Sequence, residues 1–302
     1  MSAGIRVIIS PAKQMLAGAD DLPITDVPAH SYEATKIIQE LATYADPKLQ
    51  QLWKVSDRLF ATCKPMLEDL IQDGIPQRKS EILGHAWTPR LSPAILAYSG
   101  IQYQSLAPGV LDDASLSWLD EHLRIISGLY GVLAPFDAVL PYRLEMGSGL
   151  AVGSARNLYE FWGDTLAYTV LHGEHAAVDV HDAACTDDEA GTRKPKAAEK
   201  TEPVELINLA SVEYARAVLP HLSPGTPCTT CIFAELVQYG QPKQRARASK
   251  IARGSMVRWM AERGLNNTDE LTEFCIGYRY APELSSRDHK LNQTLVFVRD
   301  AA

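Results

Sequence analysis

The residues whose types and spacing most suggest chemistry are Gly128 and Gly131, set inside the apolar run of residues 123–135. A residue without Cβ reaches φ > 0 freely, so two glycines three apart let one helix stop and another start almost at once. The first-turn amides of the second helix would then face outward, where an anion can sit. That is the logic of a helix-hairpin-helix, in which backbone N–H groups hold a nucleic-acid phosphate without reading a base. A plain tight turn between packed helices carries the same pattern.

A second cluster is cationic. Residues 242–264 hold Lys243, Arg245, Arg247, Lys250, Arg253, Arg258 and Arg263 against one acid, Glu262, a local charge of +6 in a chain of net charge −8. On a helical projection Lys243, Arg247, Lys250, Arg253 and Arg258 share an arc of about 140°, with Ala248, Ala252, Met256, Trp259 and Met260 opposite. A basic stripe on an acidic body steers a polyanion onto one face. The alternative is an ordinary solvated helix face.

Other polar residues sit where ligands commonly bind. Lys13 follows the strand-like segment 5–10, and open α/β sheets place ligand contacts just beyond strand ends. Arg143 and Glu145, two apart in an extended segment, share a side and can pair; Arg143 can equally hold an anion. Asp164, Asn208, Glu213 and Tyr214 stand beside aromatics or at element ends, with Ser211 suited to cap a helix. If Lys13, Arg143, Asp164, Asn208, Glu213 and Tyr214 converged, the cations would hold phosphate and a carboxylate would serve as general base. Cys228-Thr229-Thr230-Cys231 has the spacing of half a zinc site, but nothing completes it. Walker A, G-x-G-x-x-G, G-x-S-x-G and H-E-x-x-H patterns are absent, so no cofactor and no metal site is expected.

The elements that must position these groups alternate. Residues 5–10, 94–98, 204–209, 231–237 and 294–298 read as strands. Residues 31–44, 46–60, 65–71, 116–126 and 158–171 read as helices, with another from Glu213. The expectation is one α/β (mixed α+β) domain over residues 1–302, with a mixed sheet flanked by helices and a helix-hairpin-helix element. Residues 181–203 lack periodicity and read as a mobile surface insertion. No apolar stretch of membrane-spanning length occurs, and Val7-Ile8-Ile9 follow Met1 closely, as a core strand rather than a leader. Five scattered cysteines suit a reducing compartment, so a cytoplasmic protein is expected.

Taken together, the blocks Ile8-Ile9-Ser10-Pro11-Ala12-Lys13, Leu96-Ala97-Tyr98-Ser99-Gly100-Ile101, His122-Leu123-Arg124-Ile125-Ile126-Ser127-Gly128-Leu129-Tyr130-Gly131, Pro141-Tyr142-Arg143-Leu144-Glu145-Met146, Ile207-Asn208-Leu209-Ala210-Ser211 and Lys250-Ile251-Ala252-Arg253-Gly254 closely resemble the peroxide-stress YaaA family. The resemblance implies a cytosolic protein that limits oxidative damage linked to unincorporated iron. It also implies non-specific DNA binding through a helix-hairpin-helix and a basic cleft. Carried onto this chain, the hairpin falls on Gly128 and Gly131, and the cleft on Lys13, Arg124, Arg143, Lys250, Arg253 and Arg258. Lys243 and Arg247 extend it along the stripe. Two departures stand out: residues 181–203 look inserted, and Cys228 lacks a family counterpart. DNA is the expected partner and a membrane is not. An enzyme acting on a nucleotide or nucleic-acid base is the alternative, and an iron-sequestering protein a third.

Overall fold

The computed structural model describes residues 4–173, 204–237, 241–288 and 292–300. The expected insertion at 181–203 lies outside the described residues. The strands are β1 (Gly4–Ile9), β2 (Ser92–Pro93), β3 (Leu123–Ser127), β4 (Gly131–Leu133), β5 (Ala138–Val139), β6 (Val204–Asn208), β7 (Cys228–Val237), β8 (Gln241–Lys243), β9 (Arg279–Tyr280), β10 (Ser286–Arg287) and β11 (Asn292–Asp300). The helices are α1 (Ser31–Ala42), α2 (Asp46–Trp53), α3 (Asp57–Asp73), α4 (Ala94–Ala97), α5 (Ile101–Leu106), α6 (Asp113–His122), α7 (Leu158–Trp162), α8 (Thr165–His172), α9 (Val212–Ala215) and α10 (Ala246–Arg263).

A mixed sheet runs in the order β10-β11-β7-β6-β1-β3-β4. Its five inner strands are parallel, while β4 and β10 are short, antiparallel and lie at the two rims. The register sets Ile8 of β1 beside Asn208 of β6, and Ile9 beside Ile125 of β3. Ile5, Val7, Ile8 and Ile9 are all buried, as a central parallel strand covered on both faces requires. The fold is thus mixed α/β, with a helix layer of α5, α6 and α10. Ser249 of α10 donates to the Phe233 carbonyl of β7 at 3.1 Å, and Trp118 of α6 donates to the Leu265 carbonyl at 2.7 Å.

Several local expectations are corrected. Of the strand expected over 94–98, Ala94–Ala97 form the one-turn helix α4 and Tyr98 makes a single antiparallel bridge with Met15. The helix expected over 116–126 stops at His122, and Leu123 to Ser127 become β3 with every residue buried. That short apolar run satisfies helix and strand periodicity alike, and parallel pairing beside β1 decides for the strand. The helix expected over 158–171 breaks at Gly163, whose φ of +50° ends α7 before α8 begins. Lys243 falls in β8, so the basic helix starts only at Ala246.

The largest correction concerns the glycine pair. The segment Gly128-Leu129-Tyr130 joins two antiparallel strands, with Ser127 paired to Gly131, so this is a β-hairpin and not a helix-hairpin-helix. Gly131 meets the need for φ at +73°. Gly128 meets a different need, because a Cβ there would lie 3.0 Å from the Leu144 carbonyl oxygen and 3.2 Å from the Met146 nitrogen. The amides of Leu129 and Tyr130 both donate to Ser127 Oγ, at 3.2 and 2.9 Å, and the turn is buried. They face inward and are satisfied, so they offer nothing to a phosphate.

Helix α10 crosses α5 closely enough that a Cβ on Gly254 would stand 2.0 Å from the Gln102 carbonyl oxygen. Gly254→Ala is expected to lower unfolding free energy by about 2 kcal/mol or more through overpacking. Gly149, with nothing within 4 Å of its Cβ position, should tolerate alanine to within about 0.5 kcal/mol. Urea denaturation of both variants checks the contrast.

Candidate functional site

The chain leaves β1 to form β3 on one side of it, then returns to form β6 on the other. Such a reversal of strand order opens a crevice beyond the carboxyl ends of the strands, where parallel sheets usually bind ligands. Here the segments following β1 and β6 meet. The Ser211 amide donates to Ser10 Oγ at 2.8 Å, and Ser10 Oγ donates to Ser211 Oγ at 3.2 Å. Ser211 occupies the N-cap position of α9, but its side chain makes no capping bond. Asn208 closes β6 by accepting the Ala210 amide at 3.0 Å and donating to Thr230 of β7 at 3.3 Å. From α5, the Tyr103 hydroxyl donates to the Ser10 carbonyl at 3.0 Å.

The loop of residues 141–149 covers the β3 side of this crevice and brings its charges with it. Glu145 Oε1 takes both Lys13 Nζ and Arg143 Nη2 at 2.8 Å, while Arg143 Nη1 donates to the Lys13 carbonyl at 3.0 Å. Lys13 and Arg143 are therefore brought together as expected, joined by a carboxylate. Glu213 accepts the Gly147 amide at 2.8 Å, and the Tyr214 phenol bonds to the Met146 backbone, so both join the same loop. Asp164 stays apart: it precedes α8, and no hydrogen bond or ion pair ties it to the cluster.

Beneath lies a bonded set of hydroxyls that pattern reading missed. Tyr142 shares hydrogen bonds with Ser127 Oγ at 2.7 Å and with Tyr98 at 3.0 Å. Burial pushes the phenols of Tyr98, Tyr103, Tyr130, Tyr142 and Tyr214 up, so all are neutral donors rather than bases at physiological pH. The available signal was the recurrence of tyrosine and serine within otherwise apolar segments near strand ends.

The basic residues divide by environment. Arg124 is buried, donating to the Asp120 and Leu123 carbonyls at 2.8 and 2.7 Å, and so braces the junction of α6 with β3. Arg143 has a side chain only 7% exposed. Arg258 pairs with Glu262 at 2.7 Å, and Arg253 is half-buried. Lys243, Arg247 and Lys250 are exposed. The glycine hairpin packs against residues 144–146 and Trp162, whereas α10 packs against α5, α6 and β7, so turn and stripe do not form one surface.

Cys228 and Cys231 both lie in β7, where residues three apart point to opposite faces. Burial pushes their thiols up to about 11 and about 12, so both are neutral thiols at physiological pH. Among the described residues no three His, Cys, Asp or Glu side chains gather around a common point suited to a metal ion. No helix among the described residues is long and apolar enough to cross a membrane.

The family model described as peroxide stress protein YaaA matches residues 5–284, from the central strand through the crevice and α10. The chain belongs to this family. It is similar to a UPF0246 protein of Pediococcus pentosaceus, 36% identical over 299 residues and 98% of each chain. A UPF0246 protein of Lacticaseibacillus paracasei is 36% identical over 93% of this chain and 96% of its own. One from Desulfitobacterium hafniense is 32% identical over 99% of both.

Burial separates the two partners of Glu145. Lys13, whose side chain is 63% exposed, should be replaceable by alanine at a cost under about 1 kcal/mol. Glu145→Gln strands the buried Arg143 charge and should cost about 2–3 kcal/mol. Equal losses for the two variants in chemical denaturation would contradict this assignment.

Proposed function

We propose that this peroxide-stress protein acts in the cytoplasm by lying along the DNA backbone, without base readout, through the exposed edge formed by β8 and α10. One observation carries the reading: Lys243, Arg247 and Lys250 are exposed and make no ion pair among the described residues. Glu235, the carboxylate cross-strand from Lys243, is taken by Arg245 and Arg299, so three cations outside any ion pair in a chain of net charge −8 make a concentrated anion-seeking edge. The iron link follows from the same contacts. Ferrous iron condensed on phosphates turns peroxide into hydroxyl radical at the DNA itself, and lysine or arginine neutralising those phosphates displaces the bound cations.

Three phosphate contacts imply a log–log salt slope of about −2.7, or about fortyfold weaker binding between roughly 50 and 200 mM salt. Fluorescence anisotropy on a random-sequence duplex should give that slope. The Lys243→Glu, Arg247→Glu, Lys250→Glu triple variant should lose binding while keeping its circular dichroism spectrum. It should also fail to protect plasmid DNA from nicking by ferrous iron and peroxide. Salt-independent binding, or a triple variant that binds as wild type, overturns the reading.

A second reading rests on the switch-point crevice, where Lys13, Arg143, Glu145 and Glu213 meet. It is an enzyme acting on a nucleotide or nucleic-acid base, with the cations on phosphate and Glu213 as general base. Product analysis after incubation with nucleotides, compared with Glu213→Gln, separates it from the first.

A further inference from the structure

We propose that the seam between α5 and α10, beside the part of β7 that runs on past the end of β6, is a binding site for a phosphate-bearing small molecule, with Arg253 and Gln102 as its recognition groups. Gly254 sets the geometry. Its missing side chain lets α10 rest on the Gln102 carbonyl, which fixes the neighbouring Arg253 beside α5. Two orphaned donors result. Gln102 is only 6% exposed and its amide nitrogen is buried without a hydrogen-bond partner. Arg253 has a buried Nε without a partner, and its guanidinium makes no hydrogen bond or ion pair among the described residues.

Buried charges are ordinarily paired, and buried amides ordinarily bonded. The titratable group that bears on Arg253 is Cys231, a neutral thiol, so no carboxylate offsets the guanidinium. Desolvation holds that guanidinium below the ordinary arginine range, which marks a cation lacking its counter-charge. The crossing at Gly254 brings a planar fork of donors on α10 and an unpartnered amide N–H on α5 to one helix contact, a donor set that suits a tetrahedral oxyanion taken bidentately by the arginine and once more by the amide. Position supports a ligand rather than a packing flaw. Asn208 and Thr230 are the last pair of the β6–β7 ladder, so Cys231 sits just past the end of β6. Tyr103, next to Gln102, bonds to Ser10 in the same corner. The site uses the inner edge of α10 and does not depend on the outward cations proposed to meet DNA.

The test is thermal unfolding and calorimetry of the full chain with inorganic phosphate, a nucleoside monophosphate, and acetate as control. Wild type should show a saturable rise in Tm with the phosphate probes and none with acetate. Arg253→Gln removes an uncompensated charge, so it should unfold at a higher temperature than wild type without ligand, yet show no phosphate-induced shift. Gln102→Leu should bind about tenfold more weakly, having lost one hydrogen bond to a charged group. The triple glutamate variant of the outer face should bind phosphate as wild type does, which keeps this site separate from DNA binding. A greater shift with the monophosphate than with inorganic phosphate identifies an ester ligand, and equal shifts a free anion. No shift with either phosphate probe, equal shifts in wild type and Arg253→Gln, or a destabilised Arg253→Gln overturns the proposal.

Discussion

Everything at the carboxyl end of the sheet depends on one close approach, the backbone of residues 144–146 resting on Gly128. That contact clamps the loop bearing Arg143 and Glu145 to the end of β3, and Trp162 fastens the other side by donating to the Gly128 carbonyl at 3.2 Å. Below it, Ser127 ties the hairpin amides to Tyr142, and Tyr142 to Tyr98. A buried polar network with its partners in place is rigid, because each bond is strengthened by the low local dielectric. The charged groups above therefore rest on a fixed floor rather than on a free loop.

Burial then sorts the cations into two roles. Arg124 and Arg143 point inward and act as multi-bond braces, a task for which a planar guanidinium with several donors is suited. Lys243 on β8 and Arg247 and Lys250 on α10, a helix held by its tight crossing of α5, are exposed. The same residue types thus serve architecture at one end of the sheet and surface charge along its covering helix. Formal charge along the chain does not distinguish them; the packing around each does.

Much of the scaffold was legible in sequence. β1, β6 and β11 follow from β-branched runs, and the existence of α10 from its periodicity. Its division into one apolar and one basic face does not hold, because Gly254 and Val257, within the basic arc, are buried and Gly254 meets α5. Lys13 stood out by its position just past a strand end, and Arg143 by its spacing of two from Glu145, with which it pairs. The glycine pair was misread because glycine reports a backbone requirement without naming the elements on either side. Gly128 answers to residues 144–146 and Gly131 to a turn between strands. The contact of Ser10 with Ser211 spans 201 positions, and no local periodicity encodes it. Gln102 was not singled out, and Arg253 was read only as one cation of the basic stripe and cleft: their lack of partners is a property of the α5–α10 crossing, not of either segment.

The two rims of the sheet carry a consequence for association. β4 has three residues, all buried, and β10 has two, and both run against their parallel neighbours. Short or covered borders give an incoming chain almost no backbone to hydrogen-bond. Strand addition at these two rims therefore finds almost no free backbone, which leaves side chains as the means of recognition there.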